Sequence, residues 1–221
     1  MTDTPSPALF VAGHAAIDFL NTAYAPGGVP VETIGDGRAL LDWMAGAGLL
    51  DQDAAARLAK RFTRKTLDAA AEEARAVREW ARAWIDDWRA NPARDYGEEI
   101  AALNKLLARE SRGRELVANK RRLELIERPH FTDARELLAP IALEIARLVT
   151  IEDPSLVKAC AGAACTLWFL DRTKAHRRVF CSAAACGNRA KVAAFRRRAQ
   201  RATTEERLGV TPNCRTNQRV R

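Results

Sequence analysis

Four cysteines in one short stretch constrain this chain more than any other feature. Cys160, Cys165, Cys181 and Cys186 fall as C-x4-C, fifteen residues, C-x4-C, and all five cysteines of the 221 residues lie beyond residue 159. Two short-range pairs on adjoining turns can bring four sulfurs to one tetrahedral metal while the chain between them folds back. Four thiolates gathered without a cation would cost many kcal/mol in repulsion and desolvation. An iron-sulfur cluster also takes four thiolates, but two well-separated pairs in a basic segment favour zinc. The expectation is one structural Zn²⁺ per chain. Four sulfurs close the coordination shell, whereas a catalytic zinc keeps a position open for water and usually draws on His, Asp or Glu. No nucleophile-base pair or phosphate loop stands out, so the expected protein is not an enzyme. His176 could substitute as a ligand, but the cysteines already complete a tetrahedron and its expected state is a solvated residue in a basic loop. Cys214 sits in a polar tail as a free thiol.

Cysteines clustered in this way are metal ligands more often than disulfides where thiols stay reduced. The first twenty residues carry no basic leader, and Asp18 interrupts the apolar run of Ile17, Phe19 and Leu20. A cytoplasmic protein with no membrane partner is therefore expected. The net charge of +8 is unevenly placed. Residues 158–221 hold 15 Lys+Arg against 3 Asp+Glu, while residues 1–157 hold 21 against 25. A basic module on a mildly acidic one is the pattern of a chain whose end meets a polyanion.

Thr166-Leu167-Trp168-Phe169-Leu170 reads as a strand whose aromatics cover the metal. Ser182 can cap a helix from about Ala183 to Arg201. On that helix Val192, Phe195 and Ala199 form one narrow stripe, expected to pack on the cysteine module. Arg189, Lys191, Arg196, Arg197, Arg198 and Arg201 occupy the remaining circumference. Guanidinium forks suit phosphates and guanine edges. The competing reading is a solvated basic face.

Ahead of this module the chain reads as helical. Short helices near 13–22 and 36–47 precede a long amphipathic stretch from Asp51 to Arg89, with a break near Thr63 to Thr66. Another helix follows over Tyr96 to Leu107. Glu115-Leu116-Val117 and Leu123-Glu124-Leu125-Ile126-Glu127 suit a small β-hairpin. Asp133 opens a last helix in which Pro140 implies a kink or a restart. The fold class is thus mainly α: an α-rich N-terminal domain over 8–152 with a small hairpin, a small C-terminal four-cysteine zinc finger with a long basic helix over 155–202, and a basic flexible tail over 203–221. Asp153-Pro154-Ser155 marks the boundary, and the finger is expected to fold as a separate, metal-dependent module.

Cys186-Gly187-Asn188-Arg189, preceded by Cys181-Ser182 and followed by Ala190-Lys191 and the arginine run, resembles the CGNR zinc finger of bacterial regulators over about residues 155–200. The family commonly has Arg-Arg-Trp directly before its third cysteine, where this chain has Arg177-Arg178-Val179-Phe180, one residue longer. Asp18-Phe19-Leu20-Asn21-Thr22, with Leu41-Asp42-Trp43 and Gly48-Leu49-Leu50, resembles the ABATE domain that accompanies this finger and is described as a stress-induced transcription regulator. The resemblance implies zinc on the four cysteines and a DNA partner. Arg177 and Arg178, placed with Lys158 and Arg189 to offset the thiolate charge, are also expected at that interface. His14, Asp18, Asn21 and Arg38 are candidates for a polar pocket binding an unknown small-molecule effector; against this, Asp18 and Asn21 could simply satisfy groups where the first helix meets the core. RNA is the alternative partner, since a basic finger answers to any phosphate backbone, and a protein-protein role for the finger is a third reading. One finger buries little surface, so a homodimer on paired half-sites is also expected.

Overall fold

A computed structural model gives the fold and describes residues 8–25, 28–110, 112–120 and 122–207. It is mainly α. Helix α1 (Ala15–Leu20) leads into a two-residue antiparallel pair, β1 (Ala23–Tyr24) with β2 (Val31–Glu32). Helices α2 (Gly37–Gly46) and α3 (Gln52–Arg61) follow, then the 27-residue α4 (Arg64–Ala90) and α5 (Gly97–Leu107). The starts of α2, α3 and α4 are set by Asp36, Asp51 and Thr63, each of which accepts a backbone N–H three residues on and so satisfies one orphan donor. The break expected near Thr63 is therefore a new cap, with Phe62 ending α3 in extended conformation.

The hairpin is longer than expected. Strand β3 (Arg112–Asn119) pairs with β4 (Arg122–Pro129) along eight residues each, so the ladder begins three residues before Glu115. Its leucines Leu116, Leu123 and Leu125 lie open to solvent. Asp133 caps a 3₁₀ turn (Ala134–Leu137) that restarts as α6 (Leu138–Ile151). Pro140 thus sits in the first turn of α6, where its missing N–H has no intrahelical partner to lose.

α4 is the spine. It packs against α1, α2 and α6, and Ile17, Phe19, Leu40, Met44, Ala70, Ala74, Ile85, Leu137, Ile141 and Ile145 are buried around it. The expected boundary at 153–155 is a 3₁₀ turn (Pro154–Leu156) that runs directly into β5 (Val157–Ala159), paired antiparallel with β6 (Trp168–Leu170). Val157, Leu167, Trp168, Phe169 and Leu170 belong to the same buried cluster as the helices. The chain then passes a π-helical turn (Ala183–Gly187) into α7 (Asn188–Arg207). No helix among the described residues is long and apolar enough to cross a membrane.

Candidate metal centre

The four predicted cysteines converge. Their Sγ atoms all lie within 4.8 Å of one another, with Cys165 to Cys181 at 3.9 Å and Cys181 to Cys186 at 3.6 Å. Tetrahedral Zn–S bonds of about 2.3 Å require S···S edges of roughly 3.8 Å. The donor set therefore fits zinc in both chemistry and spacing. Cys160 follows β5 and Cys165 precedes β6, so the first pair is held by the ladder. Cys186 lies on the π-helical turn, whose entry is fixed by Ser182 accepting the Ala185 N–H at 3.2 Å.

The surroundings are those of an anionic cluster. The backbone N–H groups of Gly162 and Cys181 point at Cys160 Sγ from 3.4 and 3.3 Å, and Arg189 Nη2 reaches Cys186 Sγ at 3.0 Å. A Cβ at Gly162 would crowd the ligands, meeting Cys186 Sγ at 3.2 Å and Cys165 Cβ at 3.3 Å, so a side chain there requires the cysteines to shift. Burial pushes the Cys165 thiol up to about 11, with neighbouring thiols adding to it, and pushes Cys181 up as well. Burial opposes ionisation of Cys160 too, but its N–H donors prevail and lower it. A cation that displaces these protons relieves the cost, so metal uptake releases protons and weakens at low pH.

A salt-linked turn braces the loop between the pairs. Asp171 is fully buried and accepts Lys158 Nζ at 2.7 Å, the Thr173 hydroxyl at 2.6 Å and the backbone N–H of Thr173 and Arg178 at 3.1 and 2.9 Å. Burial alone would raise its carboxyl; these donors outweigh it and hold Asp171 well below the usual carboxylate range. His176 stays out of the cluster, its Nδ1 facing the Asp171 carbonyl at 3.1 Å and its own carbonyl accepting Lys158.

Two families match the chain. The one described as "Putative stress-induced transcription regulator", ABATE, matches residues 13–152, and the CGNR zinc finger matches residues 157–199. The chain belongs to the ABATE family. No curated protein matches it. In this ABATE protein the finger and the helical body are stitched together. Asn21 donates to the Trp168 carbonyl at 2.8 Å and accepts the Trp168 N–H at 2.9 Å. Arg82 donates to the carbonyls of Leu20 and Thr166, and Arg89 donates to the Val157 carbonyl at 2.6 Å. Both guanidiniums stand over the Trp168 ring, 4.6 and 4.8 Å from its centroid. The leader joins in, with Leu170 N–H donating to the Ala12 carbonyl at 2.8 Å. Among the described residues the finger's two-stranded sheet packs into the same buried cluster as the helices.

The basic residues divide. Arg178 is spent internally: its guanidinium lies 4.3 Å from the Phe169 ring and donates to the carbonyls of Val11, Phe180 and Cys181. Arg189 is turned toward the sulfurs. Arg177, Lys191, Arg196, Arg197 and Arg198 are exposed, and none forms a salt bridge among the described residues. The Arg201 side chain lies outside the described residues, as do residues 208–221 with Cys214. The apolar stripe of α7 does not pack on the finger: Val192 is 49% and Phe195 68% exposed. Trp168 and Phe169 fill the finger's core against the helical body, which leaves no seat for the stripe.

The residues expected to form an effector pocket are not brought together. Asn21 is the stitch just described. Asp18 Oδ1 accepts the N–H groups of Val11 and Ala12, both at 3.0 Å, and burial raises its carboxyl to about 6 against those bonds. His14 caps α1 by accepting the Ala16 N–H at 3.1 Å, and burial lowers its pKa. Arg38 is exposed on α2 and pairs with Asp42. The sequence reading missed the arginines of α4. Arg78 is 4% exposed and forks onto Glu32 at 2.8 and 2.7 Å. Arg75, Arg78, Arg82 and Arg89 recur at helical spacing on one face, a signal that reads as an ordinary polar face until the partner strands are known.

Proposed function

We propose that this protein is a DNA-binding transcriptional regulator whose structural zinc, held by the four cysteines, aims α7 at the duplex, while the helical body serves sensing or assembly. It acts by binding and not as an enzyme. The observation that carries this reading is a set of five exposed cations on and beside a metal-anchored helix, Arg177, Lys191, Arg196, Arg197 and Arg198, none of which forms a salt bridge among the described residues. Free guanidiniums neutralise phosphates, whereas paired ones do not add to affinity.

Five neutralised phosphates imply a slope of log K against log salt near −4.5, so doubling the salt weakens binding about twenty-fold. The test is a salt titration on duplex DNA of the wild type beside Arg196→Ala/Arg197→Ala/Arg198→Ala, after metal analysis shows that both hold zinc. The variant should bind more weakly with a slope near −2. Equal affinity and slope would remove α7 from the interface. Exposed Phe195 beside these arginines is what an unpaired base would stack on, which favours single-stranded RNA as the second reading. Selection from a random RNA pool beside an equal random DNA pool separates the two.

A further inference from the structure

Away from the metal, the base of the hairpin and α3 line a recess of about 920 Å³. Its floor is apolar. Leu50, Leu58 and Phe131 are each 7% exposed there, joined by Leu49 and Pro129. Its rim is cationic, with Arg57 and Arg61 one turn apart on α3, and Arg114 and Arg128 on the two strands facing them. Asp51 is the one carboxylate on its lining among the described residues, and its ion pair with Arg57 is long, at 3.9 Å. Arg114 is matched by Glu127 at 3.1 Å. Arg61 has no salt bridge among the described residues; its guanidinium stands over Phe62 at 5.7 Å.

We infer that this recess binds an amphipathic organic anion, a carboxylate borne on an apolar body, with Arg57 and Arg61 holding the head group and Leu50, Leu58 and Phe131 covering the body. The volume is that of a small-molecule site, and an apolar floor with a few convergent charged groups is how such sites combine affinity with orientation. A carboxylate takes a guanidinium in bidentate fashion, and two of them on one helical face define where the head group lies. A duplex backbone is hydrated along its length and gains nothing from a recessed apolar floor, so the charge here serves a smaller ligand than the charge of α7 does. The inference deepens the sensing half of the proposal above and replaces the Asp18 and Asn21 region as its location.

The test uses the full-length, zinc-loaded protein and three probes in calorimetric titrations: decanoate, decanol and inorganic phosphate. Decanoate should bind saturably at one site per chain, with decanol and phosphate each at least about tenfold weaker, since each lacks one half of the recognised chemistry. Arg57→Gln/Arg61→Gln should weaken decanoate at least about tenfold and leave the melting temperature and the DNA salt slope unchanged. Leu58→Gln, checked for folding by circular dichroism, should weaken decanoate while sparing phosphate. No saturable decanoate binding, equal affinity in the double variant, or phosphate binding as tightly as decanoate would each overturn the site. Displacement of decanoate by duplex DNA would overturn it too, by making the rim a nucleic-acid face. The first three of these results leave the salt titration of α7 as it is, so the site and the DNA-binding reading fail separately.

Discussion

Arg177 and Arg178 are neighbours in the chain with opposite fates. Arg178 turns inward onto Phe169 and three carbonyls, as Arg78, Arg82 and Arg89 turn onto Glu32, Trp168 and the carbonyls of the finger's strands. Arg177, Arg196, Arg197 and Arg198 turn outward and meet water. The side chains are identical, so the difference lies in what surrounds them. Inward guanidiniums satisfy buried carbonyls that would otherwise be orphaned, at a cost of about 1–3 kcal/mol each. Outward ones leave their charge available. Charge counted along a sequence overstates what a polyanion can use, because Lys158, Arg178 and Arg189 are already committed.

The largest effect that can break this contrast comes from the metal. If the tied side is one cooperative unit, chelating the zinc or changing Cys181→Ser should lower the melting temperature of the whole protein, with helical circular dichroism and finger signals lost in one transition. Structural zinc is worth about 10–16 kcal/mol in small fingers, comparable to the whole stability of about 5–15 kcal/mol typical of a domain. Loss of the finger alone, with the helical signal intact, would restore the modular picture and make the stitching incidental.

A mid-sized effect sharpens the comparison directly. Arg178→Ala should cost about 2–4 kcal/mol in denaturant unfolding, through stranded carbonyls and a lost ring contact. Arg177→Ala should change stability by less than about 0.5 kcal/mol and act on DNA affinity instead. Equal stability losses would show that both arginines are structural.

The smallest effect concerns Asp18. Its folded pKa, about 6, lies above its ordinary 3.8, so the unfolded state holds the charge more cheaply. The penalty is fully present above pH 6, shrinks as pH falls through that value, and is gone below about 3.8. Asp18→Asn keeps an oxygen to accept from Val11 and Ala12, so it should stabilise by up to about 2 kcal/mol at pH 7. That gain should fade toward pH 4, measured as the difference in denaturant midpoints. A gap that does not change with pH would mean that Asp18 is not carrying a buried charge.

Much of the fold was legible because its signals are local. Asp36, Asp51 and Thr63 announce helix starts by their own chemistry, and the cysteine spacing is sufficient to define a tetrahedron. What was not legible depends on distant partners. Nothing near Asn21 says that its amide will mate with Trp168, 147 residues away. Val157 gives no strand signal because a three-residue strand carries no periodicity of its own, and it is buried only once Leu170 lies across from it. The stripe of Val192, Phe195 and Ala199 misled for the same reason: amphipathicity shows that a face could be covered, and the body had already taken the finger's only seat.

The π-helical turn at Ala183–Gly187 has a mechanical consequence. It carries the fourth cysteine and continues without a break into α7, whose 20 residues span about 30 Å. A ligand sphere of a few ångströms therefore acts as the fulcrum of a long arm. A 10° change in how the sulfurs seat would swing the far end by about 5 Å, more than half the width of a DNA minor groove.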